Sequence, residues 1–247
     1  MKLALFADIH SNLEALTACL DHARTLGAQR YAFLGDLVGY GADPVAVIDL
    51  IERHALEGAV VLLGNHDAAA IGGASGGMNP NALAAITWTQ TQLGERQRAF
   101  LAGLPLTARL DDILFVHASA ASPGEWTYVS GAVEAERSMK AAAAGFVFCG
   151  HVHEQMLYYM GAGGHPMPFR PVAGTPIPTP RHRQWLAVVG SAGQPRDANN
   201  AACYALADLE RARLTFFRVP YDYRLAAQKI RAAGLPERLA IRLERGN

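Results

Sequence analysis

Along the first third of the chain the apolar positions switch between two periods. Residues 3–7 form a short unbroken apolar run that ends at Asp8. Over residues 13–26 the apolar positions (Leu13, Leu16, Leu20, Ala23) fall at helical spacing and stop at Gly27. Residues 31–34 are a second apolar run. Residues 44–56 are a second helical pattern, with Asp43 as N-cap and Pro44 in the first turn. Residues 60–63 are a third run. This strand–helix–strand–helix–strand order predicts right-handed crossovers and a mostly parallel sheet, and strands this apolar are covered on both faces. Ligands of such sheets bind beyond the carboxyl ends of the strands.

The middle of the chain reads as more helical. Residues 80–93 (capped by Asn79), 95–104 and 133–144 are predicted helices, and 113–117 and 146–149 predicted strands. The pattern then changes. Residues 166–180 hold six prolines and no helical period. Residues 185–189, 203–208 and 213–219 read as antiparallel strands, the last two as a hairpin around 209–212. Helices over 223–233 and 236–245 close the chain. No repeat or clean linker divides it, so residues 1–247 are expected to form one domain with two sheets. Antiparallel edge strands near the C-terminus offer a surface through which a homodimer could pair.

Composition narrows the class. In 247 residues, 51% are hydrophobic and 18% charged, which excludes wholesale disorder. Lys+Arg and Asp+Glu both number 22, so bulk electrostatics hold no stable nucleic-acid complex. No run is long and apolar enough for a membrane span, and Asp8 comes too early for a secretory leader. The three cysteines (Cys19, Cys149, Cys203) lack a CxxC pair, so a reducing cytoplasm is the expected location.

Nine histidines carry the candidate chemistry, because five of them fall in short blocks. The blocks are Asp8-Ile9-His10, Gly35-Asp36, Gly64-Asn65-His66-Asp67, Val116-His117-Ala118 and Gly150-His151-Val152-His153. Each follows an apolar run and presents oxygen or imidazole donors suited to divalent transition metals. In Asp-x-His and His-x-His, residues i and i+2 leave a strand end on the same side. Glycines before Asp36, Asn65 and His151 let the backbone turn close to the donors.

The ordered pattern DxH, GD, GNHD, H, GHxH over residues 8–153 resembles the calcineurin-like metallophosphoesterase superfamily. The stretches 36–44 and 190–197 are similar to its small bacterial and archaeal phosphodiesterase branch. The resemblance implies an α/β fold, a four-layer α/β/β/α sandwich with two mixed sheets and a metal site at the carboxyl ends of the strands. It implies that Asp8, His10 and His153 bind a first metal and that Asn65, His117 and His151 bind a second. Asp36 would bridge the two, about 3.5–4 Å apart, where a bridging hydroxide attacks phosphorus in line. His66 stays off the metals and stabilises the transition state or protonates the leaving oxygen, with Asn65 and His66 near the substrate. The implied activity is a phosphoesterase acting on phosphodiester or phosphoanhydride bonds of small molecules, nucleotides first. The implied cofactors are two divalent ions, Mn2+ or Fe2+/Fe3+ first, with Zn2+, Ni2+ or Co2+ also fitting the donor set. In the protein Ser/Thr phosphatase branch an Asp three residues after the bridging Asp orients the catalytic His; here that position is Gly39, which argues against a close relative of those enzymes. The remaining alternative is a metal-binding scaffold of the same fold.

Other features carry two readings each. Asp67 is a local cap or an aid to His66. Cys149 is a core residue or a thiolate ligand. The glycine-rich stretch 72–77 lacks the GxxxxGK[ST] pattern of a phosphate loop and reads as a loop beside the site. Arg181, His182 and Arg183 are solvated surface or a subsite for a nucleotide phosphate. Arg196 meets a substrate phosphate or pins its loop to Asp197. His22, His54, His165 and His182 are surface or structural. Substrate specificity is expected in loops 68–80, 119–130 and 161–183.

Overall fold

A computed structural model describes residues 1–73 and 76–247. The first half runs β1 (Lys2–Phe6), α1 (Leu13–Thr25), β2 (Arg30–Phe33), α2 (Pro44–Leu56), β3 (Val60–Val61), α3 (Asn65–Ala70), α4 (Pro80–Gln92) and α5 (Glu95–Ala102). Then come β4 (Thr107–Leu110), β5 (Ile113–Val116), α6 (Ala132–Ala142), β6 (Phe146–Cys149), β7 (Gln155–Met160), β8 (Pro166–Phe169) and β9 (Ile177–Pro178). The chain ends with β10 (Trp185–Val189), β11 (Ala202–Asp208), β12 (Arg213–Val219), α7 (Tyr223–Ala232) and α8 (Glu237–Arg245).

The strands form two six-stranded sheets, in the orders β3-β2-β1-β11-β12-β9 and β4-β5-β6-β10-β7-β8. Both are mixed: β1–β2, β2–β3, β5–β6 and β6–β10 pair parallel, while β1–β11, β11–β12 and β10–β7 pair antiparallel. The alternation within β1 explains its unbroken apolar run. Leu3 and Leu5 face the second sheet and meet Phe115, Phe148 and Val189. Ala4 and Phe6 face outward, packing with Leu16 of α1 and Ile48 of α2. The outer face of the second sheet (Val116, Val147, Leu186) is covered by Ala135 and Met139 of α6. Four layers result, as expected. Each fully buried Leu or Phe in them contributes about 1.5–3 kcal/mol.

A fourth apolar cluster lies at the end of the chain. Leu239, Ala240 and Leu243 of α8 and Ala226, Ala227 and Ile230 of α7 close over Ala82 and Ala85 of α4 and over Tyr40. Lys229 fixes this helical pair to the body through Glu14 and through Asp43, the latter at 2.8 Å.

Several expectations change. Asp43 occupies the N-cap of α2, but its side chain makes no cap hydrogen bond and is taken by Lys229. Residues 185–189 do form a strand, but β10 lies in the second sheet, parallel to β6, rather than beside the β11–β12 hairpin. The Pro-rich stretch supplies β8 and β9, both at sheet edges where missing N–H donors are tolerated. β9 pairs with Arg213 and Leu214 at the start of β12. The glycine-rich stretch 72–77 is centred on residues 74 and 75, which lie outside the described residues.

Candidate metal centre

The five blocks converge at the carboxyl ends of β1, β2, β3, β5 and β6. Beyond β1 and β2 the backbones stay paired: the N–H of Asp8 donates to the Gly35 carbonyl (3.1 Å) and that of His10 to the Asp36 carbonyl (2.9 Å). Asp8, His10, Asp36, Tyr40, His151 and His153 all sit at positive φ, between 50° and 69°. Non-glycine residues in this region cost about 1–3 kcal/mol each and cluster where side chains must be aimed. The donors are thus delivered by left-handed turns, not by strand alternation as the i, i+2 spacing suggests. Gly150 makes the approach of two turns possible, since a Cβ there would lie 2.7 Å from Asp8 Oδ2.

The donor atoms fall into two sets that Asp36 faces in common, and His10 and Asp36 also group with His66. Asp8, His10 and His153 form one group whose ligand atoms lie within 4.8 Å of one another, and Asp36, His117 and His151 form another. His10 Nε2 is 3.1 Å from His153 Nε2, which is 3.5 Å from Asp8 Oδ1. His117 Nε2 is 3.1 Å from His151 Nδ1 and 3.2 Å from Asn65 Oδ1. Asp36 Oδ2 faces both sets, 3.8 Å from His10 Nε2 and 3.4 Å from His117 Nε2.

The tautomers are fixed from behind. Nδ1–H of His10 donates to the Val38 carbonyl (3.1 Å), that of His117 to Leu34 (2.7 Å) and that of His153 to Gln194 (2.6 Å). Each ring is thereby held with Nε2 toward the cluster, the arrangement typical of ligating imidazoles. Burial holds His10 and His153 well below the ordinary imidazole range and pushes His151 down to about 3. Burial also raises Asp8 to about 7, against the pull of His117. Burial opposes a charge on His117 too, but Asp36 and Asp8 outweigh it and lift His117 to about 9. Asp36 stays well below its usual range because His117 and His66 overcome its burial. So many buried nitrogen and oxygen donors, converging with lone pairs inward, fit divalent metal ions.

His66 belongs to the cluster without sharing its backing. Its ring lies edge-on to His10, 4.8 Å between centroids, and 4.5 Å from the ring of Tyr40. Its N–H donates to Asp36 Oδ1 (2.8 Å), while its Nδ1 is buried and has no hydrogen-bond partner. Burial lowers its proton affinity and Asp36 works the other way. Asp67 points away from it, accepting the N–H groups of Gly64 (2.9 Å) and Val38 (3.0 Å), so it is a cap for the turn.

Arg196 also reaches the centre. Asp197 pairs instead with Arg218, so Arg196 does not pin its loop to Asp197. Its guanidinium lies 5.7 Å from the Tyr40 centroid and donates to Gln194 Oε1 (3.0 Å), leaving a buried Nε without a partner. The Arg181–Arg183 cluster lies elsewhere. It precedes β10, whose carboxyl end points toward the centre, so about 13 Å of strand intervenes. It lines a separate cleft of about 410 Å³ with Met1 and Trp185, and a role as a phosphate subsite of this centre is ruled out. Cys149 is buried and its thiol is pushed up by burial, which leaves it a core residue rather than a thiolate ligand. His22 is tied to the Tyr204 hydroxyl (2.7 Å), and His165 and His182 are exposed.

Three aromatic residues were not marked by the sequence pattern. Tyr40 packs between His10, His66 and Arg196. Trp126 and Tyr128 come from the 119–130 loop and pack against His117 and His151. The only sequence signal for Tyr40 was its place within the Gly35–Gly41 block; Trp126 and Tyr128 had none.

Fold and site together define a phosphoesterase-type α/β sandwich with a His/Asp cluster at its strand ends. The chain belongs to the calcineurin-like phosphoesterase superfamily: residues 1–212 match that superfamily's domain. It is 33% identical to a metallophosphoesterase from Sphaerobacter thermophilus, with a TM-score of 0.88 and all of both chains covered. It is 31% identical over 246 residues to the uncharacterised protein MJ0912 of Methanocaldococcus jannaschii, covering 98% of this chain and 96% of that one. A hypothetical protein of Pyrococcus horikoshii, PH1004, shares the fold at 22% identity (TM-score 0.80, 100% and 98% covered).

Proposed function

We propose that this chain is a dinuclear metal-dependent phosphoesterase that hydrolyses phosphodiester or phosphoanhydride bonds, with nucleotides as substrates. The observation that carries the reading is the position of Asp36 Oδ2, within 3.8 Å of a ring nitrogen in each of the two donor sets. Asp8, His10 and His153 would hold one cation, and Asn65, His117 and His151 the other, with Asp36 between them. Manganese or iron suits this mixed N/O set, and zinc, nickel or cobalt would also occupy it. When bound, the cations neutralise phosphoryl charge and acidify the water that serves as nucleophile.

The chain's own residues do the rest. Asp36 fixes the separation of the two sets and also accepts the His66 N–H, which locks the turn that carries His66. His66 sits beside both sets, ready to protonate the leaving oxygen. Arg196, over the Tyr40 ring, brings a positive charge to the His10 side for a non-bridging phosphoryl oxygen and, with Tyr40, excludes water there. A scaffold without activity would have no use for an unliganded, buried His66 beside the donors. The test is hydrolysis of bis-p-nitrophenyl phosphate after manganese reconstitution, with Asp36→Asn as control. Turnover in the wild type alone supports the reading; none, with two metals bound, rejects it.

A further inference from the structure

Two aromatic side chains stand on the two histidines of the second donor set. The Tyr128 ring lies on that of His151, 4.0 Å between centroids and 26° from parallel. Yet Tyr128 is 51% exposed, so one side of the ring is covered by His151 and much of the remainder faces solvent. The Trp126 indole meets His117 edge-on, 5.8 Å away at 70°. Trp126 is held in the left-handed region, φ 53° and ψ 35°, directly after the 3-10 turn Pro123–Glu125. A large side chain at positive φ is uncommon, and here the conformation carries the chain past the centre so that residues 126 and 128 both reach it. The residue between them, Thr127, is exposed, and Val129 is buried against α6, anchoring the loop.

A core role does not account for Tyr128. Large aromatic side chains gain most of their stability from burial, and this one keeps half its surface in water beside a polar cluster. The wall on the His10 side is different in kind: Tyr40 is buried, and the Arg196 guanidinium lies over it. The site thus has a cationic wall on the His10–His66 side and an aromatic shelf on the His117–His151 side.

We infer that Tyr128, flanked by Trp126, is the binding shelf for a flat aromatic group carried by the phosphoester substrate, a nucleobase or an aryl ring. The inference rests on the phosphoesterase reading and adds the residue that selects among phosphoesters. Stacking accepts any π face, so the shelf selects aromatic from aliphatic esters without choosing one base. Arg196, over Tyr40, supplies the positive charge for the phosphate while Tyr128 takes the ring.

The test compares adenosine 5′-monophosphate with ribose 5-phosphate, which differ in the base. Binding of each to the manganese-loaded protein is measured by calorimetry, so that the result does not depend on turnover. Wild type should bind the nucleotide about tenfold more tightly or better, the range expected for one stacked base. Tyr128→Leu, which still shields His151, should bring the ratio near one, and Tyr128→Phe should keep it. An unchanged ratio in Tyr128→Leu, or equal weakening of both ligands in every variant, would mean that Tyr128 only shields His151 and would overturn the inference. If the wild type discriminates as expected but hydrolyses no phosphoester, the phosphoesterase reading fails and the shelf stands.

Discussion

A Cβ on Gly39 would lie 2.5 Å from Nδ1 of His66. The position that carries an orienting carboxylate in the protein Ser/Thr phosphatases is here so close to the imidazole that no side chain fits. His66 is held by packing instead, between the rings of Tyr40 and His10. The backbone adds a second constraint, because Gly39 has φ +86°.

Gly39→Ala should therefore displace His66 as well as strain the turn. Turnover of bis-p-nitrophenyl phosphate should fall toward that of His66→Ala, a loss of about 10²–10⁴-fold for a general acid. Metal content, read by elemental analysis, should stay at the wild-type level in both variants. A Gly39→Ala enzyme with wild-type turnover would show that His66 tolerates another position or is not the acid.

Asp36→Asn should deplete both metal sites, since the lost carboxylate faces both donor sets. The amide also loses the charge that holds His117 near 9. Two metals retained with activity would refute the bridging role. Retention of one would mean that Asp36 belongs to a single set.

Chelation should lower the melting temperature, because the cluster exists only in the folded chain. With metal at about a hundredfold its Kd, the stabilisation is about 2.7 kcal/mol. For a chain of this length that is on the order of 5–10 °C. Scanning calorimetry with and without EDTA measures it, and superimposed transitions would mean that the folded protein binds no metal of consequence.

Lys229 gives a pH-dependent contribution. Burial works against its charge, but Asp43 and Glu14 outweigh it and raise its proton affinity above the ordinary 10.5. A group whose folded pKa is raised stabilises fully below the unfolded value and loses that contribution as pH rises through the folded one. Lys229→Met should thus melt about 2–4 °C lower at pH 8, for a pair worth up to about 1 kcal/mol. The gap should close above pH 10.5. A gap that is constant with pH would assign the effect to packing of the lysine stem.

The strand ends were legible because apolar runs stop abruptly at Asp8, Asp36 and His117, and because glycine-flanked blocks recur in order. Convergence of Asp8 with His153 came only through the family resemblance: it depends on the packing of β1 and β6 from different sheets, which no local pattern encodes. β4 and β7 escaped notice because their polar and apolar residues mix with long-range neighbours. The sheet that β10 joins was not legible, because its unbroken apolar run fits a central strand of either sheet. Trp126 and Tyr128 went unread for another reason. Their loop has no period, and the conformation that aims them is a single left-handed residue. Arg181–Arg183 misled because clustered charge says nothing of which end of a strand it occupies.

The carboxylate of Asp8 accepts the backbone N–H of His151, 143 residues further along the chain. That bond joins the strand ends of the two sheets, and closures of this span come late in folding. A nascent chain that has emerged only as far as His117 already carries Asp8, His10, Asp36 and Asn65, yet it lacks His153 and His151, one ring of each donor set. Neither set is complete until the two sheets have met, so the centre is a product of the finished fold and not of any local segment.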